Sequence, residues 1–178
     1  MISKLQHYPR WKTHYRCYVE IFTSQRVKAT PVAGTALGFP GRVTACTSQL
    51  QRLKDTKQCS ECDLRKADLR GLDLQGANLQ AADLKFANLA GANLQEANLS
   101  AANLQAADLS EANLPEANLQ KARLFLTQLE KANLAGTQLE GANLGFADLT
   151  DAIISEEQLQ KVLLCSTTLP DGSKSKNC

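Results

Sequence analysis

The sequence predicts an all-β solenoid, a rod in which the chain winds through stacked coils, and three regularities carry this prediction. A leucine or isoleucine occupies every fifth position from Leu64 to Ile154, which makes nineteen consecutive pentads without an insertion or a deletion. Alanine stands two residues earlier in fifteen of the nineteen pentads, with the exceptions Cys62, Leu72, Thr127 and Thr137. Aspartate or asparagine stands immediately before the leucine in fifteen, with the exceptions Arg123, Gln128, Gln138 and Ile153.

A period of five residues fits neither standard secondary structure. On an α-helix five residues advance by about 500°, so successive leucines would scatter around every face. In a flat strand they would alternate between the two faces. Aspartate and asparagine favour local turns. A chain that turns a corner in every pentad directs each leucine, and the alanine two residues before it, toward one central axis, and its coils pair about 4.8 Å apart.

The repeated motif resembles a known family. Runs such as Ala77-Asn78-Leu79 and Ala92-Asn93-Leu94 are similar to those of pentapeptide-repeat proteins, and the similarity covers residues 62–154. The resemblance implies a right-handed quadrilateral β-helix with four pentads per coil, in which positions twenty residues apart stack. The segments 57–64 and 165–173 look similar to pentapeptide proteins of cyanobacteria and plastids.

Charge and composition divide the chain into four predicted segments. Residues 1–58 hold ten basic and two acidic residues, whereas residues 59–154 hold seven basic and thirteen acidic ones. Residues 1–45 are predicted to be poorly structured, either as an organellar targeting segment or as a mis-assigned translation start. Residues 46–58 form an N-terminal capping helix and residues 59–154 the β-helix. Residues 155–178 form a tail and a C-terminal capping helix, which opens at Ser155 and extends through Leu164.

The predicted location follows from the first segment. The protein is cytoplasmic, or it resides in a lumen or periplasm if residues 1–45 are a targeting segment. No apolar run approaches the ~18 residues that a transmembrane helix needs, so no transmembrane segment is predicted.

Cys59 and Cys62 are the two residues of the sequence whose spacing most suggests a disulfide or a metal site. In the repeat register both side chains point toward the axis near the N-terminal cap. Two interpretations stay open: two small buried side chains, or a disulfide, which would imply an oxidising compartment. A zinc site would need two more ligands at suitable spacing, and the only histidines are His7 and His14. We therefore predict no metal site.

Neither catalysis nor a cofactor is predicted. Most aspartates stand at the turn position of their pentads, so the repeat itself explains their number. The β-helix holds no histidine for a Ser/His/Asp set, and no glycine-rich phosphate loop occurs.

One face of the solenoid is predicted to bind a partner. The twenty-residue stacking places all three phenylalanines of the repeats on the face whose core leucines are 64, 84, 104, 124 and 144. Its outward side chains include Phe86, Phe125, Leu126 and Phe146, with Arg123 nearby. An exposed apolar stripe with an arginine is typical of an interaction site. The alternative is that the C-terminal helix, the N-terminal segment or a second copy covers it.

The predicted function is a non-catalytic protein-binding or scaffolding module, with an unidentified protein partner or self-association. The resemblance implies a second class, because some family members mimic duplex DNA and regulate type II topoisomerases. Those proteins are strongly acidic and dimeric, whereas this β-helix carries a net charge of only −6. The basic N-terminus matches no nucleic-acid-binding module, so no direct nucleic-acid binding is predicted.

Overall fold

A computed structural model describes residues 48–176, and the predicted N-terminal segment 1–45 lies outside them. Helix α1 spans Gln49–Thr56 and helix α2 spans Glu156–Leu159. Between and beyond them each pentad contributes one paired β-residue, from Gln58 to Thr168, and every such pair joins residues twenty apart in parallel. The fold is the predicted right-handed quadrilateral β-helix with four pentads per coil. Within residues 48–176 no helix has the length and apolarity to span a membrane.

The aspartate or asparagine of each pentad builds the corner. Its side-chain oxygen accepts a hydrogen bond from the backbone N–H two residues later, as from Ser100 to Asn98 at 3.1 Å. The next residue then turns the chain with a positive φ, 56° at Ala101. Pro115 has no N–H to donate, and there the Asn113 side chain instead accepts from Asn133 of the next coil at 3.2 Å. These local bonds explain why turn-forming residues recur every five positions.

Backbone hydrogen bonds join each coil to both of its neighbours. The N–H of Leu104 donates to the Arg123 carbonyl of the next coil at 2.9 Å, and the N–H of Asn103 donates to the Ala82 carbonyl of the previous coil at 2.9 Å. The pattern repeats along the rod, so the backbone polar groups of one coil are satisfied only when its neighbours are present. This is why a solenoid is stable as an array and not as a single coil.

The interior is filled by the leucine and alanine positions. The repeat leucines from Leu64 to Leu149 are at most 2% exposed. Threonines that replace alanine are also buried, and each bonds a leucine carbonyl of the preceding coil: Thr127 Oγ1 donates to Leu104 at 2.9 Å, and Thr137 Oγ1 donates to Leu114 at 2.8 Å. No buried side-chain polar atom within residues 48–176 lacks a partner. The core therefore accepts a hydroxyl where a carbonyl can receive it.

Helix α1 covers the N-terminal end of the core. Ser48 caps it by accepting the Gln51 N–H at 3.1 Å, and Lys57 ends it in the left-handed conformation. Leu53 is fully buried and belongs to the core cluster. The Gln49 side chain accepts the backbone N–H of Asp63. The helix thus shields the apolar end of the first coil and supplies an acceptor to it.

The C-terminal cap differs from the prediction, because α2 ends at Leu159 rather than continuing through Leu164. After the helix the chain returns to the solenoid, where Leu163 pairs with Asn143 and Thr168 with Asp148. The five-residue register persists through this segment, and the inter-coil pairing outweighs its local helix propensity. The coil therefore continues beyond Ile154. A turn at residues 170–172 then reverses the chain, and Lys174 pairs antiparallel with Thr168.

The Gln158 side chain supplies hydrogen bonds where α2 interrupts the backbone pairing between coils. Its side-chain amide donates to the carbonyls of Leu134 and Thr137, both at 2.8 Å, while its backbone N–H donates to the Ser155 hydroxyl at 3.2 Å.

Replacing Gln158 with leucine is expected to lower the free energy of unfolding by about 1–3 kcal/mol, because the Thr137 carbonyl loses its donor. Urea denaturation measures the effect. The exposed Gln160→Leu variant should change stability by less than about 0.5 kcal/mol, and equal effects would contradict the assigned role.

Candidate functional site

The exposed large apolar side chains concentrate on one face, called here the phenylalanine face and defined by core leucines 64, 84, 104, 124 and 144. Phe86, Leu126 and Phe146 are 51%, 49% and 48% exposed. They occupy the same corner position in stacked coils, with Ala106 between Phe86 and Leu126. All three have positive φ, between 58° and 61°. The corner geometry thus holds three half-exposed apolar groups in one column along the rod.

Phe125 lies beside this column, next to Leu126 in the same coil. It is half-buried, and its ring packs edge-on against Phe146 with the centroids 5.3 Å apart and the planes at 65°. The ring lies over Gly145, where a Cβ atom would come within 3.3 Å of it and within 3.1 Å of Asn143 Oδ1. This close approach favours glycine, because an added Cβ would force the Phe125 ring to shift by a few tenths of an ångström. The two aromatic rings therefore form one patch that is wider than a single column.

Gly145→Ala tests this packing. We expect the free energy of unfolding to fall by about 1–3 kcal/mol, because the new methyl group overlaps the Phe125 ring. In a Phe125→Ala background the same change should cost less than half as much, because the obstructing ring is gone. Urea denaturation of the four proteins in this cycle gives both values. A cost that stays the same in the two backgrounds would show that Phe125 does not use the space over Gly145.

The phenylalanine face differs from the others in charge. Within residues 59–154 it carries four basic and two acidic residues, whereas the other three faces together carry three basic and eleven acidic ones. Arg65 is paired with Asp63 at 2.6 Å, and this hydrogen bond lowers the pKa of the Asp63 carboxyl. Lys85 Nζ lies 5.1 Å from the Phe86 ring centroid. Arg123 forms no salt bridge with any residue between 48 and 176. The face is thus apolar and basic on an otherwise acidic rod.

Sequence reasoning missed two members of this surface. Leu163 is 64% exposed and continues the outward column of Arg123 and Asn143 into the cap. Leu163 stands forty residues after Arg123, so the stacking rule could have placed it on this face. The sequence instead predicted a helix through Leu164, which removed Leu163 from the solenoid. Gly145 stands twenty residues after Phe125, so the stacking rule places the two residues next to each other in neighbouring coils, but it does not place the Phe125 ring over Gly145. Ile153, the other large exposed apolar side chain among the described residues, lies on a different face.

The structure joins Cys59 and Cys62 in a disulfide, with the two Cα atoms 5.3 Å apart. Both side chains are buried in the core cluster, and the Cys59 sulfur lies 3.4 Å from the Gln49 carbonyl oxygen of α1. Cys165 is also disulfide-bonded. Among residues 48–176 no group of three or more metal-ligating side chains is arranged to hold a metal ion. The cysteine pair thus lies where the N-terminal cap meets the first coil.

Removing this disulfide with the paired Cys59→Ala/Cys62→Ala substitution is expected to lower the free energy of unfolding by about 2 kcal/mol. The loop-closure relation gives this value for so short a loop. Urea denaturation under oxidising conditions measures the loss. Reducing agent should destabilise the native chain more than the double variant, since the variant no longer holds this bond. Identical responses would show that the bond contributes nothing to stability.

The cleft beside the C-terminal cap contains a second group of charged residues. Its volume is about 540 Å³. Lys161 lies 3.0 Å from Glu157 and 3.8 Å from Glu140. Hydrogen bonds from its own backbone and from Gln120 lower the pKa of the Glu140 carboxyl. Lys161 offsets part of the negative charge of the two glutamates, and the lowered pKa of Glu140 makes this carboxyl unsuited to act as a general acid.

Comparison with known proteins agrees with the geometry. The family profile of pentapeptide repeats (8 copies) matches residues 58–95, 92–127 and 127–164, which together exceed half of the chain. No curated protein sequence gives a significant match.

Solved structures of pentapeptide repeat proteins are similar to this chain. One from the Arabidopsis thaliana thylakoid lumen is 34% identical, over 57% of this chain and 72% of that chain, with a TM-score of 0.43. Rfr23 from the cyanobacterium Cyanothece 51142 is 29% identical over 72% and 97%, with a TM-score of 0.48. Another from the cyanobacterium Nostoc is 33% identical over 67% and 94%, with a TM-score of 0.43. The profile match over most of the solenoid shows that the chain belongs to the pentapeptide repeat family.

Proposed function

We propose that this protein is a non-catalytic protein-binding module and that the phenylalanine face is its binding site. The observation that carries the proposal is the column of half-exposed Phe86, Leu126 and Phe146 beside a cation, Arg123, that has no salt bridge within residues 48–176. Aromatic and arginine side chains are enriched at the energetic centres of interfaces. The other faces present mainly small, polar and acidic groups.

The exposed side chains of this face supply only part of the free energy that binding requires. Burying the exposed half of three large apolar side chains contributes about 1 kcal/mol each. A buried hydrogen-bonded arginine adds about 2 kcal/mol. This total of about 5 kcal/mol is offset by the loss of translational and rotational freedom on association, which costs about 4–15 kcal/mol, so a stable complex needs further contacts around these four side chains. The fixed corners reduce the cost of binding, since a rigid surface loses little conformational entropy when a partner binds.

The carboxylates of the rod serve the fold, which favours a non-catalytic role. Asp148 accepts the Thr150 hydroxyl at 2.6 Å and the Thr150 N–H at 3.0 Å, and the hydroxyl bond is the main cause of its lowered pKa. Such a carboxylate stays ionised at neutral pH and is already occupied by its own turn. A general acid or base needs the opposite: a pKa near the working pH and a free path to substrate.

DNA mimicry receives less support from the charge density. Duplex DNA carries about one negative charge per 1.7 Å, which is about 14 charges over a rod of roughly 23 Å. The repeat region has a net charge of −6, and its phenylalanine face is positive. We therefore expect no inhibition when the purified protein is added to a type II topoisomerase supercoiling assay. Inhibition would favour the topoisomerase-regulating alternative.

The paired Leu126→Glu/Phe146→Glu substitution tests the proposed function. Affinity capture from the native cell, quantified by mass spectrometry, should return partners that this variant loses by at least tenfold. The matched control is Gln75→Glu/Ala135→Glu, which adds the same charge at two exposed positions on the opposite face. Circular dichroism should be unchanged in both variants. Equal capture by the two variants would remove the phenylalanine face as the binding site.

A further inference from the structure

We propose that the phenylalanine face receives an acidic amphipathic helix of the partner protein, lying along the axis of the rod. This inference rests on the proposed function and adds the shape and chemistry of the partner. Three properties of the face lead to it: the spacing of its apolar groups, the paired state of its backbone and the sign of its charge.

The spacing of the apolar column matches a helix. Neighbouring coils are about 4.8 Å apart, so Phe86 and Phe146, three coils apart in sequence register, are separated by roughly 14 Å. Three turns of an α-helix advance about 16 Å, so residues at i, i+3 or i+4, i+7, and i+10 or i+11 stay in step with the four levels of the column within about 2 Å. Same-side residues of an extended strand recur at about 6.7 Å and would be out of step by about 6 Å over the same distance. A helix can therefore contact each level of the column.

The backbone of this face is closed to an added strand. The N–H of Leu124 already donates to the Asn143 carbonyl at 2.8 Å, and the N–H of Arg123 donates to Ala102 at 2.9 Å. Strand addition needs a row of free N–H and C=O groups at a sheet edge. A partner on this face must therefore be recognised by its side chains, and a helix satisfies its own backbone bonds.

The charge of the face favours an acidic partner. Arg123 is unpaired within residues 48–176, and Lys85 lies against the Phe86 ring. A second copy packed face to face would bring the same excess of basic residues together. Complementary charge thus points to a different, acidic protein segment.

A lipid surface fits the geometry less well. Membrane-binding surfaces insert their apolar groups some 5–10 Å into the boundary between headgroups and acyl chains. Here the apolar side chains are only about half exposed, as for Leu126 at 49%, so they lie along the face rather than projecting from it. Phe125 is held back further by its packing over Gly145.

Labelled synthetic peptides test the inference with the full-length protein. The acidic probe is a helix with leucine at i, i+3, i+7 and i+10 and with glutamate and alanine elsewhere. One control replaces each glutamate with lysine, and another interrupts the acidic helix with proline. Fluorescence anisotropy should show the acidic probe binding at least tenfold more tightly than either control. Equal binding by the lysine peptide, or no binding by the acidic probe at millimolar protein concentration, would overturn the inference.

Protein variants assign the binding to this face. Arg123→Glu should weaken binding of the acidic probe at least fivefold, whereas Lys131→Glu, on the neighbouring face that contains Leu129, should weaken it less than twofold. Leu126→Glu/Phe146→Glu should abolish binding, and the control Gln75→Glu/Ala135→Glu should retain it, with circular dichroism unchanged throughout. Equal effects of the Arg123 and Lys131 variants would contradict the proposed site.

Two outcomes separate this inference from the proposed function. If the acidic probe fails while capture of a cellular partner still depends on Leu126 and Phe146, the helix inference is wrong and the binding function stands. If captured partners do not depend on these residues, the phenylalanine face is not the binding site and the proposed site itself is wrong. Binding to phosphatidylglycerol vesicles in place of the acidic probe would identify the face as a lipid-binding surface and overturn the inference.

Discussion

Leu104→Asp is expected to abolish the cooperative fold at room temperature. Leu104 is fully buried near the middle of the rod, and its carbonyl accepts bonds from Ala107 N–H at 3.0 Å and Thr127 Oγ1 at 2.9 Å. The substitution loses about 2 kcal/mol of apolar burial and places an unpaired carboxylate in the core, at a further cost of several kcal/mol. A domain of this size has about 5–15 kcal/mol of stability in total.

Two controls separate a core defect from an effect of charge or of side-chain replacement. Leu104→Met nearly conserves volume and should cost less than about 1.5 kcal/mol. Ala101→Asp places the same carboxylate three residues earlier, at an exposed corner, and should change stability by less than about 0.5 kcal/mol. Circular dichroism and urea denaturation compare the variants. A cooperative transition in Leu104→Asp close to that of the native chain would mean that the leucine column is not the core.

The solenoid could be predicted because a single rule repeats without interruption. A five-residue period excludes helix and strand and requires a corner in each pentad, so the same rule assigns Leu79 and Ala77 to the interior and Ala81 to the outside. The structure agrees at each of these positions. The Asx turn gives the rule its cause, since the side chain and the N–H that it bonds are only two residues apart. The turn that each aspartate or asparagine forms locally is the same corner that the β-helix needs, and this agreement makes the prediction reliable.

The C-terminal cap shows where local signals are insufficient. Ser155 and Gln158 form a capping box, and the residues after it have good helix propensity, so the sequence alone predicts a longer helix. The helix stops at Leu159 because the chain can pair with the previous coil from Leu163 onward. The two bonds of the Gln158 side chain to carbonyls of the previous coil have no local sequence signature. Competition between propensity and pairing is decided by a partner more than twenty residues away.

The phenylalanine face was partly predictable for the same reason. The stacking rule gives the column of Phe86, Leu126 and Phe146, because it needs only sequence position. The contact between Phe125 and Gly145 depends on how a side chain turns back over the next coil, which position alone does not specify. The oxidation of Cys59 and Cys62 also lies beyond their spacing, which is compatible with two buried thiols or with a disulfide.

A change of register is expected to have the largest effect of all, since it disrupts many pentads at once. The change is one extra alanine inserted between Ala102 and Asn103, in the flat part of the phenylalanine face. Side chains alternate with a period of two there, so a slip of one residue turns Leu104 outward and Asn103 inward. The chain must either carry the mismatch into every later coil or force out a bulge that breaks the bonds of Asn103 and Leu104 to both neighbouring coils. We expect loss of the native circular dichroism spectrum and no cooperative unfolding transition.

Duplicating residues 87–106, with the copy placed directly after Ala106, is the matched insertion of twenty residues. It adds one coil and four buried leucines and keeps every residue in register with the position twenty before it. Because repeat arrays gain stability from each added interface, this longer rod should unfold at an equal or higher urea concentration, with a larger m value. A protein that accepts one extra residue as readily as twenty would not be held together by stacking at a fixed period, since only that stacking makes the smaller insertion the more damaging one.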